Sequence, residues 1–145
     1  IAGKSDDANS SLIDKNTLKN INSNQNIQYL GHVSEMKDLY ETVDIVLLPS
    51  WREGLSRALL EAASMQRPII TTDVTGCSNI IDHAQNGILV PKKNSHAIKL
   101  ALKLLIINPD LARKFGISVR NKVIKYFTSD LVTTKTANLY KKIIF

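Results

Sequence analysis

The chain has 145 residues, 43% of them hydrophobic, and its 19 basic and 13 acidic side chains leave a net charge of +6. That length suits one domain with its own core, and the single cysteine, Cys77, excludes an internal disulfide and a zinc site built from cysteines. No apolar run approaches the ~20 residues of a membrane span, and the positive charge suits an anionic ligand, an anionic membrane surface or nucleic acid without choosing among them.

The predicted elements alternate between short apolar strands and amphipathic helices. Residues 1–3 have the pattern of a strand end, and a weak helical pattern over residues 12–21 leads to a second short strand at residues 27–31. The apolar residues of segment 36–43 then fall on one helical face. Residues 44–49 are almost wholly apolar, which is typical of a parallel strand buried on both faces.

Another helix and two more strands follow the loop at residues 50–54. The helix is predicted from a narrow apolar stripe made of Leu55, Leu59, Ala62 and Ala63. Residues 69–72 and 87–90 have the composition of strands, and residues 79–82 predict a single helical turn between them.

The C-terminal third is predicted to be helical. Asn94 or Ser95 caps a first helix. A second helix begins at Pro109, where the missing N–H costs little. A third helix is capped by Thr128 or Ser129.

This order of elements predicts an α/β fold. We expect a Rossmann-like parallel sheet with helices on both faces, followed by a helical tail. In such sheets, ligands bind beyond the carboxyl ends of the strands. One crevice is therefore expected from four loops, at residues 3–5, 31–33, 49–54 and 73–79.

The loop before the predicted helix carries chemistry suited to a nucleotide-sugar. Gly54 permits a sharp turn, and the N–H groups of Leu55 and Ser56, placed in the first helical turn, would form an anion site for a diphosphate. Glu53 precedes that site. Glu61 lies roughly 10 Å further along the helix and could accept hydrogen bonds from two hydroxyls of a ribose. Alternatively, Glu53 only complements the helix dipole and Glu61 is an ordinary solvated residue.

Four segments then resemble a known family. Residues 49–62 read PSxxEGx6EA, which resembles the E-x7-E signature of the retaining GT-B glycosyltransferases of family 4. Residues 29–33, YLGHV, resemble its F-L-G-x-V strand end, and residues 86–90, NGILV, resemble its N-G-x-L-V strand. Residues 63–73 resemble its A-x-G-x-P-V-I-x-x-D segment, although Gln66 and Arg67 stand where the family usually has a small residue. These matches are in family order and cover about residues 1–105.

The resemblance implies a role for each candidate residue. Glu53 would be the catalytic residue and would contact hydroxyls of the donor sugar, and Glu61 would bind the ribose. The backbone of His32 would contact the base, and Arg57 could contact the diphosphate or remain a surface residue. The donor-binding set is then Gly54, Leu55, Ser56, Glu61, Gly31, His32 and Arg57.

The resemblance also implies the reaction. A sugar would move from a nucleotide-diphosphate sugar, UDP being the commonest in the family, to a glycan or lipid-linked acceptor of surface polysaccharide synthesis. The anomeric configuration would be retained, and neither a metal nor another cofactor is expected, because a helix dipole and cationic side chains bear the leaving-group charge. The setting would be cytoplasmic, with peripheral contact of the basic tail at the inner face of the membrane. Nucleic acid is not expected, because the basic residues lack aromatic platforms.

The chain is expected to be part of a longer protein. The family's first strand, with its G-R dipeptide, the lysine that binds the diphosphate and the N-terminal acceptor-binding domain all precede Ile1. Residues 1–145 would then be a single nucleotide-sugar-binding domain, inactive in transfer on its own. A non-catalytic nucleotide-binding or interaction module and a GT-B sugar-nucleotide epimerase remain alternatives. The sequence does not name the sugar, the base or the acceptor.

Overall fold

A computed structural model describes residues 1–3, 17, 20–21 and 23–144. Most of the predicted helix at residues 12–21, and Lys4 and Ser5 of the first predicted loop, lie outside the described residues. The chain forms two compact units, Ile1–Asp38 and Leu39–Phe145, which are described separately.

In the first unit, the N-terminal residues pair in parallel with the predicted strand end at residues 29–31. Leu30 N–H donates to the Ile1 carbonyl at 2.8 Å, and Gly3 N–H donates to the Gly31 carbonyl at 2.7 Å. The pairing is a single bridge between Ala2 and Gly31 rather than a ladder of two full strands. Gly31 has a φ of +62°, in the left-handed region that favours glycine.

The remaining elements alternate as predicted. They are α1 (Met36–Thr42), β1 (Val46–Leu48), α2 (Arg57–Ser64), β2 (Ile69–Thr72), α3 (Thr75–Ser78), β3 (Ile88–Val90), α4 (Ser95–Ile107), α5 (Pro109–Tyr126) and α6 (Ser129–Ile144). The three strands form a parallel sheet in the order β1-β2-β3. The predicted α/β class with a parallel sheet and a helical tail is therefore confirmed.

The core of the second unit lies around β2. All four residues of β2 are buried, and Ile70 packs in one cluster with Leu105 of α4 and Phe115 of α5. Because successive strand residues face opposite sides of a sheet, Ile69 and Thr71, each 0% exposed, lie on the other face. Both faces of the middle strand are therefore covered.

Two predictions were wrong. One concerned the burial of the strand at residues 44–49, and the other concerned the position of a helical turn. Segment 44–49 was expected to be buried on both faces, but β1 lies at an edge of this sheet and Leu47 is 37% exposed. Burial on both faces belongs to β2, whose four residues are all buried. The helical turn expected at residues 79–82 lies earlier, at Thr75–Ser78.

The helix after the central loop begins at Arg57, two residues later than predicted. Ser56 precedes it with an extended backbone, φ −72° and ψ 109°. Leu55 therefore lies outside the helix and is 52% exposed instead of joining the apolar stripe, whereas Leu59, Ala62 and Ala63 are fully buried as predicted.

The helical tail follows its local signals. The Asn94 side chain caps α4 by accepting a hydrogen bond from Ala97 N–H at 2.9 Å, and Pro109 occupies the first turn of α5. At the start of α6, the hydroxyl oxygen of Thr128 accepts from Leu131 N–H at 3.4 Å. Within the described part of the chain, no helix combines the length and hydropathy needed to cross a membrane.

Candidate functional site

The loop between β1 and α2 is attached to the carboxyl end of β2. Ser50 N–H donates to the Thr72 hydroxyl oxygen at 3.0 Å, and the same hydroxyl donates to the Ser50 carbonyl. Thr72 is the last residue of β2 and is buried. A single side chain therefore satisfies both backbone groups of Ser50 and fixes where the loop leaves the sheet.

The loop also packs on α3 at a position that only glycine can occupy. A Cβ built on Gly76 would lie 1.7 Å from the Gly54 carbonyl oxygen and 2.5 Å from that of Glu53. These contacts are with backbone atoms, which cannot rotate away. The loops at residues 49–54 and 73–79, two of the four predicted to converge, are thus in direct contact.

Glu53 is held within this fixed loop. It is half-buried, and its Oε1 accepts a hydrogen bond from the Ser50 hydroxyl at 2.8 Å. Its other carboxylate oxygen has no hydrogen-bond partner among the described residues. Glu53 can therefore accept a hydrogen bond from an incoming hydroxyl without rearranging the loop.

A polar pocket of about 360 Å³ opens beside Glu53. Trp51 at its edge is 66% exposed, and the ammonium group of Lys93 lies 4.5 Å from the centre of its ring, a distance typical of a cation–π contact. The side chains that give the pocket its chemistry are Trp51, Arg52, Glu53, Asp73, Ser78 and Lys92.

Ser50, Thr72 and Lys92 were not among the predicted site residues. Lys92 could have been found, because it follows β3 and the loops after parallel strands share one edge of the sheet. The loop at residues 91–94 therefore belongs with the four loops that were predicted to form the crevice. The roles of Ser50 and Thr72 depend on tertiary contacts that no spacing reveals.

The free N–H groups at the start of α2 lie later than predicted. The first helical bond runs from Leu60 N–H to the Ser56 carbonyl at 3.1 Å. The unpaired N–H groups of the first turn are therefore expected from Ser56 onward, and Leu55 N–H precedes them. Ser56 is 4% exposed and its side chain makes no capping bond.

Glu61 lies about one turn into α2 and is paired with Arg57. Arg57 Nε donates to Glu61 Oε1 at 2.9 Å, and the arginine side chain is 91% exposed. Nearby, the buried Tyr40 hydroxyl donates to the Ala58 carbonyl at 3.1 Å. Burial raises the pKa of Tyr40, and the charge of Glu61 raises it further.

Under the loop, Cys77 is a packed thiol. It is 0% exposed, and its sulfur lies 3.1 Å from the Thr71 hydroxyl oxygen. Burial raises the pKa of Cys77; the Thr71 hydrogen bond lowers it and the charge of Glu53 raises it. A thiol that stays protonated is a poor nucleophile.

The structure thus brings only some of the predicted residues together. Glu53 and Gly54 share the fixed loop, Ser56 directly precedes α2, and Arg57 and Glu61 lie on α2. Gly31 and the exposed His32 lie in the first unit and are described only there. Among the described residues, no cluster of three or more His, Cys, Asp or Glu side chains could hold a metal ion.

Several known proteins resemble this chain. A capsular polysaccharide biosynthesis glycosyltransferase from Staphylococcus aureus is 27% identical over 128 residues, which cover 88% of this chain and 34% of that protein. The C-terminal domain of a glycosyl transferase group 1 family protein from Francisella tularensis is 26% identical, with a TM-score of 0.69 over 79% of this chain and 60% of that one. Anabaena HepE, solved with UDP-glucose, is 15% identical with a TM-score of 0.83 over 97% of this chain and 40% of that one.

The chain spans about a quarter to a third of the length of eight curated relatives that it matches, from 25% to 34%. The structural likeness supports the predicted fold, the C-terminal half of a GT-B architecture with a helical tail. A family model described as "Glycosyl transferases group 1" matches residues 1–108. The chain therefore belongs to the family of glycosyl transferases group 1.

Proposed function

We propose that this chain is the donor-binding domain of a retaining glycosyltransferase. The longer enzyme moves a sugar from a UDP-linked donor to a glycan or lipid-linked acceptor in surface polysaccharide synthesis. The single observation that carries the proposal is the state of Glu53, a carboxylate fixed at the sheet edge with one oxygen bound by Ser50 and the other without a partner among the described residues.

The start of α2 supplies the other parts of a donor site. The first-turn N–H groups and the helix dipole favour the diphosphate, with Gly54, Leu55 and Ser56 leading into them. Glu61, further along the helix, accepts from the ribose hydroxyls once Arg57 releases it or shares it. Transfer of the sugar then needs no metal, because Arg52, Lys92 and the helix N-terminus offset the charge of the leaving diphosphate.

Gly31 and His32, which lie in the first unit, are proposed from the resemblance alone to contact the base. A left-handed glycine places the following backbone at a sharp turn, and His32 is exposed and free to present its backbone to a ligand. Both remain predictions from the resemblance.

The remainder of the protein supplies the acceptor side. This part of the proposal is supported by the one-third coverage of relatives and by the match to a C-terminal domain solved by itself. Residues 1–145 act as one nucleotide-sugar-binding domain that does not catalyse transfer alone. The capsular polysaccharide relative and the UDP-glucose complex of HepE support surface polysaccharide and UDP as the first choices. We place the enzyme in the cytoplasm, at the inner face of the membrane, in peripheral contact through its basic tail.

Calorimetric titration of the chain with UDP, GDP and ADP tests the donor site. Saturable binding of one nucleotide, weakened at least about tenfold in Glu61→Ala, supports the proposal. Asp130→Asn, which removes an exposed carboxylate at the start of α6, is the matched control and should bind as the parent does. Absence of binding to all three nucleotides would instead favour a non-catalytic interaction module. Conversion of a UDP-sugar by the longer enzyme without any acceptor would favour an epimerase.

A further inference from the structure

A second cavity of the second unit shares Leu55 with the proposed donor site and is otherwise lined by residues outside it. It is a groove of about 940 Å³ between the turn at residues 79–86 and the C-terminal half of α5. Ligand pockets typically measure about 300–1,000 Å³. The groove therefore has room for a ligand of more than one ring, and it exceeds the pocket of about 360 Å³ beside Glu53.

The rim of the groove is rich in exposed amides. Asn79, Gln85 and Asn121 line it, and within the described part of the chain none of these three side chains bonds to another protein group. Each amide offers two N–H donors and a carbonyl acceptor. Such a rim matches a ligand whose hydroxyl groups both donate and accept.

The floor of the groove is fixed. Lys122 Nζ lies 2.8 Å from Asp82 Oδ2, and the lysine side chain is only 19% exposed. Asn86, 2% exposed, accepts from Asp82 N–H at 2.7 Å and donates to the Ile80 carbonyl at 3.2 Å. Because these bonds exist before any ligand arrives, little ordering cost remains for binding.

An aromatic ring completes the lining. Tyr126 is 48% exposed, and Lys125 lies 5.1 Å from the centre of its ring. Tyrosine combines an apolar face with a polar edge, which matches a sugar ring with C–H groups on its face and hydroxyls at its edge. No arginine is among the described lining residues, so a phosphate-rich ligand would lack the bidentate donors that it prefers.

The groove adjoins the donor loop. Leu55 lines it and directly follows Gly54. We infer that this groove binds an oligosaccharide, as a glycan site separate from the acceptor-binding part of the enzyme. The inference goes beyond the proposed function, and glycan binding can be tested separately from nucleotide binding.

Titration with tetrasaccharides tests the groove. The probes are maltotetraose, chitotetraose and a hyaluronan tetrasaccharide, which differ in acetamido groups and charge, each added up to about 10 mM to the chain. We expect saturable binding of at least one, weakened at least about tenfold in Tyr126→Ala and in Asn121→Ala. Tyr140→Ala and Asn138→Ala remove the same side chains from exposed positions of α6 and should bind as the parent does.

Nucleotide binding measured on the same samples separates the two proposals. Tyr126→Ala should keep its UDP affinity, and Glu61→Ala should keep its tetrasaccharide affinity. Asn121 lies on an exposed part of α5, so Asn121→Ala still decides the matter if Tyr126→Ala fails to fold. Binding of none of the three tetrasaccharides, or binding that survives both groove substitutions, would overturn the inference even where UDP binds.

Discussion

The loop at residues 49–54 and the start of α2 carry the two glutamates of the proposed donor site in contrasting surroundings. Glu53 stands in a loop fixed by Thr72 and by backbone contact with Gly76. Glu61 is also half-buried, but it stands on the helix and is paired with an arginine side chain that is 91% exposed. An exposed pair of this kind is worth about 0–1 kcal/mol, so Glu61 can exchange its partner for a ligand at little cost. The carboxylate proposed to meet the reacting sugar is rigid, and the carboxylate proposed to meet the ribose is adjustable.

The largest effect should come from filling the space between the loop and α3. In Gly76→Ala, the new methyl would overlap backbone oxygens, so we expect a loss of at least about 3 kcal/mol in the free energy of unfolding, measured with urea. Gly54→Ala is the control, since a Cβ there meets nothing within 4 Å and should change stability by less than about 1 kcal/mol. Equal stability of the two variants would mean that the loop is not fixed by this contact.

A smaller effect is expected from removing the hydrogen bonds that attach the loop to β2. Thr72→Val keeps the shape of the side chain but leaves both backbone groups of Ser50 without their partner, which should cost about 1–3 kcal/mol. Thr72→Ser retains the hydroxyl and should recover most of that loss. If valine and serine destabilise equally, packing rather than hydrogen bonding fixes the loop.

The thiol under the loop should make stability depend on pH. Burial raises the pKa of Cys77, so its stabilising contribution is complete below the unfolded pKa of about 8.5 and is lost as pH rises toward the folded value. Urea unfolding at pH 8 and at pH 10 should show a smaller decline in Cys77→Ala than in the parent chain. Tyr40 contributes to the decline in both chains, so comparing how stability changes with pH in the two chains removes its contribution. An unchanged slope would contradict a buried thiol.

The smallest effect concerns the exposed pair on α2. Arg57→Ala should change the free energy of unfolding by less than about 0.5 kcal/mol, because the ion pair is screened by solvent. A loss above about 1 kcal/mol in urea unfolding, with added salt giving a comparable loss in the parent chain, would show that Glu61 is held as firmly as Glu53 and would remove the contrast.

Local signals in the sequence predicted the sheet and the tail well. Residues 69–72 combine β-branched side chains with full apolar character at their start, and Asn94 and Pro109 mark helix starts by their own chemistry. These features depend on near neighbours in the chain. The E-x7-E spacing likewise located the loop and the helix that carry the candidate site.

Features that depend on contacts between distant residues could not be predicted from local patterns in the sequence. Leu55 continued an apolar stripe, yet the extended backbone of Ser56 starts α2 at Arg57 and leaves Leu55 exposed. The position of β1 at an edge of the sheet depends on distant strands, which the periodicity of one segment does not reveal. Lys92 is the exception, because the rule for parallel strands would have found it.

The most direct test of the account compares UDP with UDP-glucose in two variants of the chain. Glu53→Gln should weaken UDP-glucose at least about tenfold while leaving UDP unchanged, since Glu53 is proposed to contact only the sugar, and Glu61→Gln should weaken both ligands alike. Calorimetry at one pH and salt concentration measures all four affinities. Equal behaviour of the two variants, or UDP affinity lost in Glu53→Gln alone, would contradict the division of one donor between a rigid and an adjustable carboxylate.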